Sequence, residues 1–215
     1  MPLITTFFIF LGDYIIIVLV IFLFGKKVEG LKVIVGITGA SGSIYAYSLV
    51  CLLEKYNVDV SVIFTETGEK VMEYECGISK EEMKKHAHVF ENNNLFSKAA
   101  SGSSKYDAMV IIPCSMNTLS SISNGIGDTL LTRAASVILK ENRKLIVVAR
   151  ETPLNIIQLE NMCRLAKAGA CIMPASPSFY SHPKEIWELV NGIVVRIMDQ
   201  LNIEVEYEKR WKGDD

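Results

Sequence analysis

At 215 residues the chain suits one large domain with an ample core. A net charge of −2 and a pI near 6.0 give no reason to expect nucleic acid as a partner. Five cysteines without a CxxC pair and three scattered histidines (His86, His88, His182) argue against a metal site and a disulfide framework, and point to a reducing compartment.

The first thirty residues stand apart. Leu3 to Phe24 is almost wholly apolar, interrupted by Gly12, Asp13 and two threonines, and is followed by Lys26 and Lys27. That length can just span a bilayer, and the lysines would keep the adjoining domain cytoplasmic. Asp13 near mid-span would cost about 2.5–3.5 kcal/mol, and no cleavable signal pattern is present. Three readings stay open: an anchor, a docked helix, or a start codon assigned too far upstream. A cytoplasmic protein is the favoured expectation, and anchoring through residues 3–24 is not.

From Leu31 onward short apolar runs alternate with helical patterns. Leu31–Ile37 reads as a strand, Ile44–Tyr56 as a helix and Asp59–Phe64 as a second strand. A helix from about Gly68 to Glu75 and a polar one around Ser79–Lys85 come next. Glu91–Lys105 is the least regular stretch. Ala108–Ile112 is a third strand, Thr129–Lys140 a helix, Lys144–Ala149 a fourth strand and Pro153–Ala168 a long helix. A brief strand, Ala170–Met173, and a final helix, Pro183–Leu201, complete the chain. This alternation predicts an α/β fold: a doubly wound parallel sheet with right-handed crossovers in a single domain.

In such sheets ligands bind outside the carboxyl ends of the strands, so the residues at those ends are the candidates. Gly36-Ile37-Thr38-Gly39-Ala40-Ser41-Gly42 closes the first strand, where glycines permit close approach and a helix N-terminus offers free N–H groups. It is not a GxGxxG fingerprint, and one phosphate or a flat ring edge suits it better than a pyrophosphate. Pro113-Cys114-Ser115-Met116-Asn117-Thr118 closes the third strand with polar side chains that could read a heterocycle, or simply cap a helix. Thr65, ending the second strand, reads on its own as a cap. Arg150-Glu151-Thr152-Pro153 comes after the fourth strand, with Pro153 suited to a first helical turn; a solvated ion pair is the plain reading. Together these ends fit a phosphorylated planar ligand such as FMN better than a metal. Arg133, Lys140 and Arg196 could serve a second phosphate, although each alone reads as part of a solvated helix face. Tyr180 could line the same cleft or merely cover it.

With these residues assembled, the chain resembles the UbiX/Pad family of flavin prenyltransferases from about Leu31 to Trp211. The resemblance rests on Gly39-Ala40-Ser41-Gly42, Ala100-Ser101-Gly102-Ser103, Pro113-Cys114-Ser115 and Leu131-Thr132-Arg133-Ala134-Ala135. Leu139-Lys140-Glu141, Arg150-Glu151-Thr152-Pro153-Leu154, Gly169-Ala170, Met173-Pro174, Phe179-Tyr180 and Arg210-Trp211 continue it. It implies a flavodoxin- or Rossmann-like flavoprotein domain over residues 31–215, and the apolar leader over 1–30 lies outside the family pattern. It further implies a homo-oligomer, a dodecamer, that joins the prenyl group of dimethylallyl phosphate to reduced FMN without a metal. The product, prenylated FMN, would serve a UbiD-type decarboxylase. Carried over by position, Gly39, Ala40, Ser41, Thr65, Ser115, Met116, Asn117, Thr118 and Arg150 would hold FMN. Lys140, Arg150, Tyr180 and Arg196 would hold the substrate phosphate, partly across subunits. Ser41 and Glu151 would relay protons, Glu75 would act near ring closure, and Trp211 would cover the site. Thr65 stands where serine is usual, and Glu66 where lysine is usual. A peptidyl-cysteine or phosphopantothenoylcysteine decarboxylase on the same fold would need a histidine near the second helix, and Thr65–Glu75 has none. A non-enzymatic FMN carrier would need no second phosphate site.

Overall fold

The computed structural model describes residues 4–11 and 14–21 by backbone alone, and then residues 30–211 and 213. In the leader, β1 (Ile4–Leu11) and β2 (Tyr14–Ile21) pair antiparallel as a sheet of their own. The remainder of the leader, Asp13 and the two lysines included, lies outside the described residues. No helix among the described residues is long and apolar enough to cross a membrane.

The main sheet has six parallel strands. They are β3 (Lys32–Ile37), β4 (Asp59–Phe64), β5 (His88–Phe90), β6 (Ala108–Cys114), β7 (Lys144–Ala149) and β8 (Cys171–Ile172). Their order is β5-β4-β3-β6-β7-β8. The chain therefore winds outward from β3 in one direction and from β6 in the other, and the reversal lies between those two strands. Every residue of β6 is buried, as are all but the first of β3, β4 and β7. Strands covered on both faces need such continuous apolar runs, which is why their limits were readable.

Alternate strand residues feed two cores. Val33, Val35, Val60, Val62, Val110 and Val148 pack against α1 (Ser43–Lys55) and α7 (Ile186–Gln200). Ile34, Ile63, Met109, Ile111, Leu145 and Val147 face α4 (Met116–Ser123), α5 (Leu130–Lys140) and α6 (Ile156–Lys167). Two further helices, α2 (Glu66–Cys76) and α3 (Lys80–Met83), come after β4. The polar helix expected at Ser79–Lys85 is thus a single turn.

Two differences from the sequence reading have clear causes. Pro153 does not open α6. The helix begins at Ile156, because Asn155 and Gln158 form a reciprocal capping box, and Pro153 belongs to the preceding loop. The edge strand β5, His88-Val89-Phe90, is also unexpected: three residues are too few to carry a period-2 signal. Glu91–Lys105 is irregular as expected, apart from two short 3₁₀ turns at Lys98–Ala100 and Gly102–Ser104.

Candidate functional site at the carboxyl edge

The loops after β3 and β6 flank the point where the winding reverses, the place an open α/β sheet leaves for a ligand. A buried threonine fastens them together. The Thr38 hydroxyl donates to the Pro113 carbonyl at 2.7 Å and accepts from the Ser115 N–H at 2.8 Å. Both bonds are made inside the protein, Thr38 itself being inaccessible to solvent, where an unmade one costs about 1–3 kcal/mol. The crevice walls thus have a fixed spacing before any ligand arrives.

Backbone contact sets the third side. A Cβ on Gly68 would lie 2.5 Å from the Ile37 carbonyl oxygen, so only glycine lets the first turn of α2 rest on the end of β3. Thr65 caps that helix, its hydroxyl accepting from the Gly68 N–H at 3.0 Å. Ser115 caps α4 and donates to the Thr118 hydroxyl at 3.1 Å. Both serve as the caps the sequence allowed. Thr118 is buried beneath Ser115, whereas Asn117 is exposed and Met116 is half-buried. Along the β3 loop, Ser41 is exposed, Gly39 partly so, and Ala40 packs inward.

The start of α1 is not open to an outside anion in this arrangement. Glu75 reaches back from the end of α2, and its carboxylate accepts from the N–H groups of Gly42 and Ser43 at 2.9 and 3.0 Å. The helix has no side-chain cap of its own, so Glu75 satisfies its first N–H groups and meets the positive end of its dipole. Gly42 holds φ of +103°, a left-handed turn that suits glycine. This pins the Glu75 carboxylate beside Ser41.

Arg150 leaves the end of β7, its N–H donating to the Cys114 carbonyl at 3.2 Å and its side chain exposed. Its charge is felt by Tyr45 on the first turn of α1, whose phenol burial pushes up and Arg150 pulls back. The guanidinium therefore sits on the same edge as the Gly42 turn. Glu151 is exposed and accepts from the Thr152 N–H at 2.9 Å. Beneath the crevice Cys114 is fully buried, and burial pushes its thiol well above the usual range, which excludes it as a nucleophile near neutral pH.

A second cleft lies beside α7. Tyr180, Arg196, Tyr207, Lys209 and Arg210 line it, with Ser178 and Gly192. The Trp211 ring meets Tyr180 edge-on at 5.5 Å between centroids. Arg196 keeps most of its side chain exposed while donating to Asp199 at 3.0 Å. Tyr180 and Arg196, expected to share a site, are thus brought together.

Lys140 is not brought to them. It ends α5, pairs with Glu141 at 2.6 Å, and precedes β7, whereas Arg150 comes after that strand. A strand of six residues, about 20 Å of extended chain, therefore separates the two cations on opposite edges of the sheet. Arg133 sits on the same helix as Lys140, its Nε–H donating to the Ala100 carbonyl at 3.3 Å, and so braces the small-residue loop.

Sequence reasoning missed the Thr38 tie, the Glu75 cap and the pairing of Asp199 with Arg196 and Arg210. The first was visible only as a hydroxyl in an apolar strand end. The second joins residues more than thirty apart, and the third joins a helix to the segment that follows it, so neither leaves a pattern within one element.

The sequence from residue 25 to 198 matches the model of the family described as Flavoprotein. The chain is 46% identical over 182 residues to the flavin prenyltransferase UbiX of Methanocaldococcus jannaschii, covering 84% of this chain and 98% of the relative. It is 44% identical to the flavin prenyltransferase LpdB of Lactiplantibacillus plantarum, covering 85% and 99%. Among solved structures, AnUbiX in complex with FMN and dimethylallyl pyrophosphate superposes with a TM-score of 0.83 at 34% identity, covering 86% of this chain and 99% of that one. A dodecameric FMN-dependent UbiX-like decarboxylase from Escherichia coli O157:H7 gives 0.83 at 38% identity, covering 85% and 100%.

Proposed function

The chain belongs to the flavoprotein family, among the UbiX-type flavin prenyltransferases, and from that premise we propose that it joins the dimethylallyl group of dimethylallyl phosphate to reduced FMN. Phosphate leaves, and prenylated FMN passes to a UbiD-type decarboxylase. The observation that carries this reading is near full-length identity above 40% to curated flavin prenyltransferases.

The residues fit the flavin by the chemistry of the donor set. Among the described residues at the crevice, neutral groups (Ser41, Thr65, Ser115, Asn117 and the first-turn N–H groups of α4) stand with one cation, Arg150, while the Glu75 carboxylate is engaged by the start of α1. Such a set suits the polar edge of a neutral ring system and one phosphate. When bound, reduced FMN supplies the electron-rich ring atoms that take up the prenyl group. Gly39, Ala40 and Met116 would give it backbone and apolar contact, with Thr118 fixing Ser115 from below.

The remaining work falls to charged side chains. Breaking an allylic C–O bond leaves negative charge on phosphate, and fixed cations there lower the barrier. Arg150, Arg196 and Lys140 would supply them, with the Tyr180 hydroxyl donating a further hydrogen bond. Because Lys140 stands on the opposite edge of its own sheet, it would reach the site of another subunit in a homododecamer. Trp211 and Tyr180 would exclude water from the departing prenyl group. Glu75, held at the start of α1, and the neighbouring Ser41 would accept and pass protons, with Glu151 at the outer rim. The protein would do this in the cytoplasm.

The test is phosphate release from dimethylallyl phosphate under anaerobic conditions. Release that requires reduced FMN is the expected result. Release with oxidised FMN, or none from well-folded protein loaded with reduced FMN, would overturn the reading.

A further inference from the structure

Past α7 the chain turns back along the helix as an extended strap. Leu201, Ile203 and Val205 are buried, while Asn202, Glu204 and Glu206 face solvent. Tyr207 then donates its hydroxyl to the Glu188 carbonyl at 3.3 Å, and Lys209 pairs with the Glu188 side chain at 2.5 Å. The strap ends at Arg210, which grips Asp199 through two nitrogens at 2.7 and 2.9 Å and also donates to the Val205 carbonyl at 3.1 Å. The next residue is Trp211, against Tyr180.

Asp199 therefore receives two arginines from two elements. One oxygen accepts from Arg196 on its own helix, and both accept from Arg210 on the strap. Only about a quarter of the aspartate side chain is exposed, and a bidentate Arg–carboxylate pair fixes direction as well as distance. Of the five Arg196 donors, the described contacts engage one, which orients the guanidinium and leaves donors for the cleft. The Asp199 carboxyl is held below the usual range, chiefly by its hydrogen bond from Arg210, so it is ionised whenever the cleft would bind an anion.

We propose that Asp199 is a positioning residue for the prenyl-transfer site: it aims Arg196 at the substrate phosphate and clasps Arg210 so that the Trp211 ring is held edge-on against Tyr180. The proposal rests on the function given above. It makes a prediction opposite in sign to simple charge counting. The cleft sets three cations (Arg196, Lys209, Arg210) against two carboxylates (Glu188, Asp199), so removing Asp199 makes it more positive. If Asp199 were only a counter-ion, its neutral isostere would bind phosphate more tightly. As a clasp, its loss frees both arginines and the tryptophan, and binding weakens.

The experiment compares Asp199→Asn, Asp199→Glu and Arg210→Gln with wild type, in full-length protein carrying Trp187→Phe so that Trp211 is the sole tryptophan. Acrylamide quenching of Trp211 reads strap closure. Initial rates give KM and kcat for dimethylallyl phosphate, and flavin fluorescence gives FMN affinity. Asp199→Asn is expected to raise KM about tenfold, the scale of lost charge-assisted hydrogen bonds. Quenching should increase and FMN affinity should be unchanged. Asp199→Glu should restore part of both, and Arg210→Gln should release Trp211 with a smaller rise in KM. A lower KM, or unchanged KM and quenching, in Asp199→Asn overturns the clasp. If that variant does not fold, unchanged quenching and KM in Arg210→Gln do the same. Failure of the enzymatic reading is separable: wild type would make no prenylated flavin, while Trp211 quenching would still report the strap.

Discussion

The two halves of the proposed site are built by opposite means. The crevice between β3 and β6 is made of backbone, hydroxyls and missing side chains, fastened by a buried threonine and seated on a fully buried strand. The cleft beside α7 is made of long side chains on a helix and a returning strap, held by ion pairs near solvent. Buried neutral hydrogen bonds resist salt and temperature. Exposed ion pairs are individually worth little, about 0–1 kcal/mol, and gain their effect through bidentate geometry and networks. A flat cofactor gains from the first kind of site, because its shape must be matched in advance. A small dianion that must enter and leave as phosphate suits the second, where cations can close on it and reopen.

The largest expected break between the halves is Arg150→Ala. It should lower prenyl transfer by about 10²–10³, the range for removing a fixed donor from a developing anion, with melting temperature little changed. Lys140→Ala should be similarly inactive, although its residue lies on the far edge of the same sheet. Co-expression of the two inactive chains sharpens the point. Mixed oligomers that recover activity would show the two cations coming from different subunits, and oligomers that stay inactive would place both in one.

Next in size is Thr38→Val, which leaves the Ser115 N–H and the Pro113 carbonyl without their partner. We expect a loss of about 1–3 kcal/mol in stability by urea titration together with weaker FMN binding, and recovery of both in Thr38→Ser. Gly68→Ala forces a Cβ onto the Ile37 carbonyl and should cost a similar 1–3 kcal/mol. Activity per folded molecule should fall less than in Arg150→Ala. Equal effects on both halves from either change would erase the distinction between them.

The smallest effect concerns pH. Asp199 is lowered in the folded protein, mainly by its hydrogen bond from Arg210. Its contribution is therefore fully present above the ordinary aspartate value of about 3.9 and is lost as pH falls through the lower folded value. Between pH 5 and pH 3 the melting temperature of wild type should drop toward that of Asp199→Asn. Parallel melting curves would mean that the clasp adds nothing to stability.

Much of this was legible in the amino-acid sequence, and for a physical reason. Asp59–Phe64 and Lys144–Ala149 are read with the same limits as the observed strands, because a strand covered on both faces must be apolar throughout. Once the strand ends are known, the doubly wound fold tells where Ser41, Ser115 and Arg150 must gather. What escaped reading depends mostly on partners outside the element itself. Glu75 caps a helix that begins 32 residues before it. Asp199 looks like any polar residue on a solvated helix face until Arg210 is seen to return to it. Pro153 misled because a proline that suits a first turn says nothing against a stronger start signal two residues on, at Asn155.

The most direct test of the account is the mass of the flavin recovered after anaerobic incubation of the protein with reduced FMN and dimethylallyl phosphate. A flavin heavier by one five-carbon prenyl unit, formed by wild type and lost in Arg150→Ala, is the predicted result. Unmodified flavin from folded, FMN-loaded wild type would contradict it, and would leave the chain a flavin binder whose second cleft serves some other anion.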